Sequence, residues 1–344
     1  MDLERYRPRP ALVAKATPVE KPRFPAIDAH NHLGDEFGGG WIHRPLPELV
    51  AVLDQAGITK YVDLDGGWGE AVLREHLAKL APARERFLVF GGVDWSQWPA
   101  RGESFPEWAA GRLRVQKEWG ADGLKIWKPL GLHVRDHKGE LVKVDDPRLD
   151  PLWETAAGLG WPVVIHVADP VAFFEPLDET NERWEELQAH ADWRFPSPPF
   201  PPFLSIVEGL AGLLARHPRT TFIGAHVGCY AENLAWVGAL LDRCPNFHVD
   251  FAARIGELGR QPYTSRRFFL KYADRILFGS DFGPNLEAYR VIYRFLETDD
   301  EYFNYNAPPV PEQGRWHVCG LYLPEDVLEK VYFRNAERLL FKRK

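Results

Sequence analysis

The segment Asp28-Ala29-His30-Asn31-His32 carries the first residues able to do chemistry. Side chains alternate along a strand, so two histidines two residues apart face the same side and can reach one ion. By itself such a pair fits a surface or a structural role at least as well. Recurrence shifts the balance. His166 ends the run Val163-Val164-Ile165, His226 ends Phe222-Ile223-Gly224-Ala225, and Asp281 follows Ile276-Leu277-Phe278-Gly279-Ser280. One histidine closing an apolar strand is commonly a satisfied core residue. Four of them and a carboxylate, all at the same end of their strands, are hard to explain that way.

Elements must bring these distant residues together. From Phe24 onward, short apolar runs without polar alternation read as buried parallel strands: Ala26–His30, Lys60–Leu64, Phe87–Val93, Gly123–Trp127, Pro162–Val167, Thr221–Ala225, Phe247–Phe251 and Ile276–Gly279. Helical patterns lie between them. Pro47–Ala56 has proline near its start and Gly57 at its end, and Ile206, Leu210, Leu213 and Leu214 form an apolar stripe before the sixth strand. Eight strand–helix units predict an α/β fold closed as a (β/α)8 TIM barrel, whose strand C-termini converge on one mouth. An open doubly wound sheet would place a glycine-rich phosphate turn where His30-Asn31-His32 stands. Residues 1–23, basic and rich in proline, read as an extended N-terminal arm, and residues 24–344 as a single domain. Two connections are long. Pro129–Pro147 is expected to hold a small hairpin. Ala168–Pro202, after strand five, is dense in aromatics and proline and is expected to form a lid.

Composition narrows the class. The 344 residues carry a net charge of −7, which argues against a general nucleic-acid binder. Cys229, Cys244 and Cys319 are odd in number and widely spaced, poor material for a disulfide framework, and fit a cytoplasmic protein. No apolar run approaches the roughly 18 residues that cross a bilayer.

The ordered motifs resemble the amidohydrolase superfamily, in particular its amidohydrolase-related (family 2) branch. The resemblance runs from Ile27-Asp28-Ala29-His30-Asn31-His32, through Ile165-His166, Gly224-Ala225-His226-Val227-Gly228 and Leu277-Phe278-Gly279-Ser280-Asp281-Phe282, to Asn335-Ala336-Glu337-Arg338-Leu339-Leu340. It implies that His30, His32, His166 and Asp281 bind a divalent metal, while His226 stays near the bound water or substrate. Zinc suits this set best, and manganese accepts similar ligands. Some two-metal members of the superfamily bridge their ions with a carboxylated lysine on strand four. Lys125 occupies that strand here, although the branch mostly uses one metal, so one ion is expected. Barrels of the branch are often dimers, which makes a homodimer an expectation of the resemblance.

Two reactions fit this pattern. A divalent ion can lower the pKa of its water to about 7. With Asp281 taking the proton and His226 polarising the carbonyl or assisting the leaving group, such a site would hydrolyse a lactone, ester or amide-like bond of a small cyclic substrate. The alternative is non-oxidative decarboxylation of an aromatic or unsaturated acid, which calls for a cation near the departing carboxylate. Lys125 and Arg254 are the available cations. The general tendency of the superfamily favours hydrolysis. Trp68, Trp95 and Trp127 fall at the mouth and can build an apolar wall. Asp65, Asp94 and Asp250 fall there too, as substrate contacts or helix caps. His43, His133, His137, His190, His217, His248 and His317 lie outside the ordered set. A barrel that only binds a ligand would lack one of the expected metal ligands, and none is missing.

Overall fold

The computed structural model describes residues 9–305 and 313–341. Eight strands follow one another in chain order in a parallel sheet: β1 (Ala26–Asn31), β2 (Ile58–Asp63), β3 (Phe87–Gly91), β4 (Gly123–Ile126), β5 (Pro162–Ile165), β6 (Thr221–Gly224), β7 (Phe247–Asp250) and β8 (Ile276–Leu277). The chain beyond β8 returns to β1 through the Ala29 N–H donating to Phe278 O at 2.9 Å, so the sheet is wrapped into a barrel. This is the expected TIM barrel, with strand limits within two residues of the sequence reading at every end.

Two apolar layers hold it. Ile27, Val62, Leu88, Phe90, Val164, Ile223 and Leu277 fill the barrel interior, where Leu339 and Leu340 of the C-terminal segment join them. A larger layer lies between the strands and the surrounding helices, with Trp98, Trp153, Phe222 and Tyr293 among its members. The helix Leu46–Ala56 ends at Gly57 with φ 78°, a conformation glycine adopts freely. A Cβ added there would also approach the Pro22 ring to 2.7 Å.

The first eight residues of the expected arm lie outside the described residues. The part that is described has no regular structure and lies on the barrel, with Thr17 bonded through its N–H and hydroxyl to Asp300 and the Arg23 N–H to Glu297. The segment after β4 carries an isolated antiparallel bridge between Arg135 and Leu141, the expected hairpin in minimal form. The segment after β5 folds into short helical pieces, Val171–Phe173, Trp184–Ala189 and Ala191–Trp193, that line the mouth.

Candidate functional site

The register of β1 shifts between Asp28 and Asn31. This bulge sends Asp28 and Asn31 toward Tyr289 and Ser280 while His30 and His32 turn into the mouth. Asp28 accepts from Ser280 and Tyr289, and burial pushes its carboxyl up to about 6 against those bonds. His226 and Asp281 are aimed by a different device. Both are non-glycine residues in the left-handed region, with φ of 58° and 65°, and Val227, Cys229 and Ala253 beside the site share it. Such conformations cost of order 1–3 kcal/mol each and concentrate at functional sites.

These residues meet. Asp281 Oδ1 lies 3.2 Å from His30 Nε2 and 3.1 Å from His32 Nε2, and its Oδ2 lies 3.7 Å from His226 Nε2. His30, His226 and Asp281 each offer a donor atom within 4.8 Å of the others. The His166 ring is 4.5 Å from that of His226, centroid to centroid. All four imidazoles are buried. Three of them have a hydrogen-bond partner behind the ring. His30 Nδ1 is 2.9 Å from Asp250 Oδ2, and His32 Nδ1 is 2.7 Å from Asp65 Oδ1. His226 Nδ1 donates to Ala252 O at 2.8 Å. With a single proton, on Nδ1, in His30, His32 and His226, their Nε2 atoms turn lone pairs toward an anionic carboxylate. Lone pairs facing an anion repel unless a cation lies between them, so the donor set fits a metal ion.

Charge couples the same residues. Burial would raise Asp281, but His30, His226 and His32 hold it well below the usual carboxylate range. Burial would lower His32, yet Asp281 and Asp65 outweigh it and push the ring up to about 9. Burial brings His166 down to about 4. His226 lies well below the ordinary imidazole range, through burial and then the Arg254 charge.

The site opens into a cavity of about 750 Å³, a size suited to a small organic ligand. One wall is aromatic. Trp68 stacks on Trp127 at 4.0 Å, and Trp127 stacks on His32 at 5.3 Å. The segment after β5 forms another wall, where His190 stacks on Trp193 at 4.0 Å and Phe173 lies 6.2 Å beyond. His190 therefore belongs to the cavity, a role its position outside the ordered motifs did not announce. Trp95 does not line it, because it stacks on Trp98 at 6.2 Å in a separate aromatic cluster. Arg254 lines the cavity and is buried, its Nη1 donating to Ala253 O at 2.8 Å. Among the described residues it forms no ion pair within 4.0 Å, unlike Lys128, paired with Asp169, and Arg183, paired with Glu186 and Glu257. Lys125 lies beneath the wall instead, fully buried, its Nζ 3.4 Å from His30 Nε2 and 4.5 Å from the Trp127 ring. Burial lowers its ammonium to about 8.

Asp65 and Asp250 turn out to back histidines, while Asp94 accepts from Ser96 N–H as a helix cap. Asp169, Lys128, Phe173 and Arg183 are cavity residues that motif reading passed over. Their only sequence signal was membership of the loops after strands four and five.

A model of the family described as Amidohydrolase matches residues 109–342. A solved 2,6-dihydroxybenzoate decarboxylase from Rhizobium is 18% identical and superposes with a TM-score of 0.55, covering 92% of this chain and 98% of that one. A dihydroxybenzoic acid decarboxylase from a Polaromonas species, solved with bound manganese and the inhibitor 2-nitroresorcinol, is also 18% identical, with a TM-score of 0.54 over 92% and 97% of the two chains. At these identities the likeness is one of fold. Exoribonuclease 2 of Pasteurella multocida is 24% identical over 235 residues, 59% of this chain, and the match spans 34% of that longer protein.

Proposed function

The chain belongs to the amidohydrolase family, and on that premise we propose that it is a metal-dependent lyase releasing carbon dioxide from an aromatic or unsaturated ring acid. The observation that carries this reading is Arg254: a buried guanidinium, free of any ion pair among the described residues, facing the same cavity as Asp281 and His226. Glu186 and Glu257 offset part of its charge from beyond ion-pair distance, and its remaining donors match the two oxygens of a ligand carboxylate. The facing aromatic walls suit a flat ring. The dihydroxybenzoate decarboxylases of similar fold act on such acids, which adds support.

In this reading His30, His32, His166 and Asp281 hold the ion, and His226 faces the substrate. The division rests on what stands behind each ring. A carboxylate lies beside His30, His32 and His166, at 2.9, 2.7 and 3.4 Å, whereas His226 has only a carbonyl. A carboxylate behind an imidazole raises its strength as a ligand. A divalent ion there supplies Lewis acidity toward a substrate oxygen. Zinc and manganese both suit the donors, and one ion is the simplest occupancy. Arg254 grips the carboxylate, the aromatic walls orient the ring, and His226 relays a proton from solvent through Nε2 to the ring carbon as the carbon–carbon bond breaks and carbon dioxide leaves.

One observation favours a second reading, hydrolysis of a cyclic ester or amide: Asp281 is held anionic at neutral pH and can accept a proton from attacking water. The similarity to part of exoribonuclease 2 does not carry over to this cavity, where two of the three cations named above are already paired.

The test is to supply hydroxylated benzoates, beginning with 2,6-dihydroxybenzoate, and in parallel a panel of cyclic lactones, to protein loaded with zinc or manganese. Carbon dioxide released in step with loss of the acid is the expected result. Lactone opening without carbon dioxide from any acid would replace this reading with the hydrolytic one.

A further inference from the structure

Three of the four imidazoles at the mouth have a buried carboxylate behind them, and two of those carboxylates, Asp250 and Asp65, sit at the end of β7 and just past the end of β2. The third comes from the lid. Asp169, three residues past His166, is buried, and its Oδ1 lies 3.4 Å from His166 Nε2. That nitrogen is itself buried and has no hydrogen-bond partner. A buried donor left unpaired is rare, and Asp169 is the acceptor at hand. The other oxygen of Asp169 is held by Lys128, which follows β4 and lines the cavity beside it.

We propose that Asp169, anchored by Lys128, is a positioning residue for the metal centre, orienting His166 as Asp250 orients His30 and Asp65 orients His32. The proposal rests on the reading of His166 as a metal ligand. With Nε2 directed at Asp169, the nitrogen left for an ion is Nδ1, so this ring presents the opposite nitrogen from its neighbours. The arrangement couples the loop after β4, the first residues of the lid and the metal centre through one ion pair. A buried lysine–aspartate pair serving packing alone would have no need of an unpartnered imidazole nitrogen beside it. Its carboxylate fixes ring rotation and strengthens the imidazole as a ligand.

Affinity for Zn²⁺, measured by competition with a chromogenic chelator, tests this without reference to turnover. Asp169→Asn is expected to weaken binding by roughly 10- to 100-fold, with Asp169→Glu recovering part of the loss and Lys128→Met losing less than Asp169→Asn. The visible spectrum of the Co²⁺-loaded protein should shift in Asp169→Asn. Asp192→Asn, an exposed lid aspartate, should match the unsubstituted protein in both readouts. Circular dichroism reports whether each variant folds, and should Asp169→Asn not fold, Asp169→Glu and Lys128→Met carry the test. Unchanged affinity and an unchanged cobalt spectrum in the folded Asp169 and Lys128 variants would overturn the proposal. Failure of the unsubstituted protein to bind Zn²⁺ would overturn the metal-centre reading beneath it, and that arm stands apart from the variants.

Discussion

Two acid–histidine clusters in this barrel are built from the same residue types and differ in what their atoms have left to do. His30, His226 and Asp281 form one; Asp63, Asp65 and His76 form the other, also within 4.8 Å of one another. In the second cluster the hydrogen bonds close on the protein itself. His76 Nδ1 meets Asp63 Oδ2 at 2.5 Å, Asp63 Oδ1 accepts from Asp65 N–H, and Asp65 Oδ2 accepts from the N–H groups of Leu33 and Gly34. Asp65 Oδ1 turns outward only to His32. In the first cluster the Nε2 atoms converge on Asp281 beside an open cavity. Proximity of acids and histidines is therefore a poor marker of a site. Lone pairs directed at a shared space are the better one, and the second cluster reads as the scaffold that holds His32 in place.

Substitutions can sharpen that contrast. Asp281→Ala should have the largest effect, removing bound metal and activity together, a loss of at least ~10³-fold in turnover if the ion supplies the Lewis acid; elemental analysis and rate measurement check both halves. His226→Ala is expected to cut turnover by roughly 10²- to 10⁴-fold while metal content stays near that of the unsubstituted protein. An emptied site in this variant would make His226 a ligand and undo the division of roles. Arg254→Met should raise KM for an acid substrate by roughly 10- to 100-fold, the worth of a hydrogen bond to a charged group at about 1.5–3 kcal/mol; an unchanged KM would remove the carboxylate grip. The smallest catalytic effect belongs to the scaffold cluster. His76→Ala should cost about 1–3 kcal/mol of stability in denaturant titration with metal content unchanged, and loss of metal there would blur the distinction between the two clusters.

The barrel was legible because its strands are short, apolar and regularly spaced, and those signals survive without any knowledge of contacts. The mouth residues were legible because topology gathers strand ends, so His30, His32, His166, His226 and Asp281 needed only a common fold to become neighbours. What sequence could not give was orientation. The left-handed backbone at His226 and Asp281 has no signature in residue type, since neither is glycine. Trp95 and Trp127 fall at equivalent ends of β3 and β4, yet one packs against Trp98 while the other lines the cavity. Lys125 was readable as a lysine on strand four, but its position below the wall, beside His30, depends on packing across the barrel. Asp169 and His190 lie on a long loop whose path is set by long-range ion pairs such as Arg183 with Glu257 and Arg260 with Glu182. Pairs of that kind leave no periodic trace.

The most direct measurement is metal content per chain, by elemental analysis of protein purified without chelator and again after reconstitution with zinc or manganese. The account predicts about one equivalent, lost in Asp281→Ala and retained in His226→Ala. A chain that remains free of metal after reconstitution would contradict it.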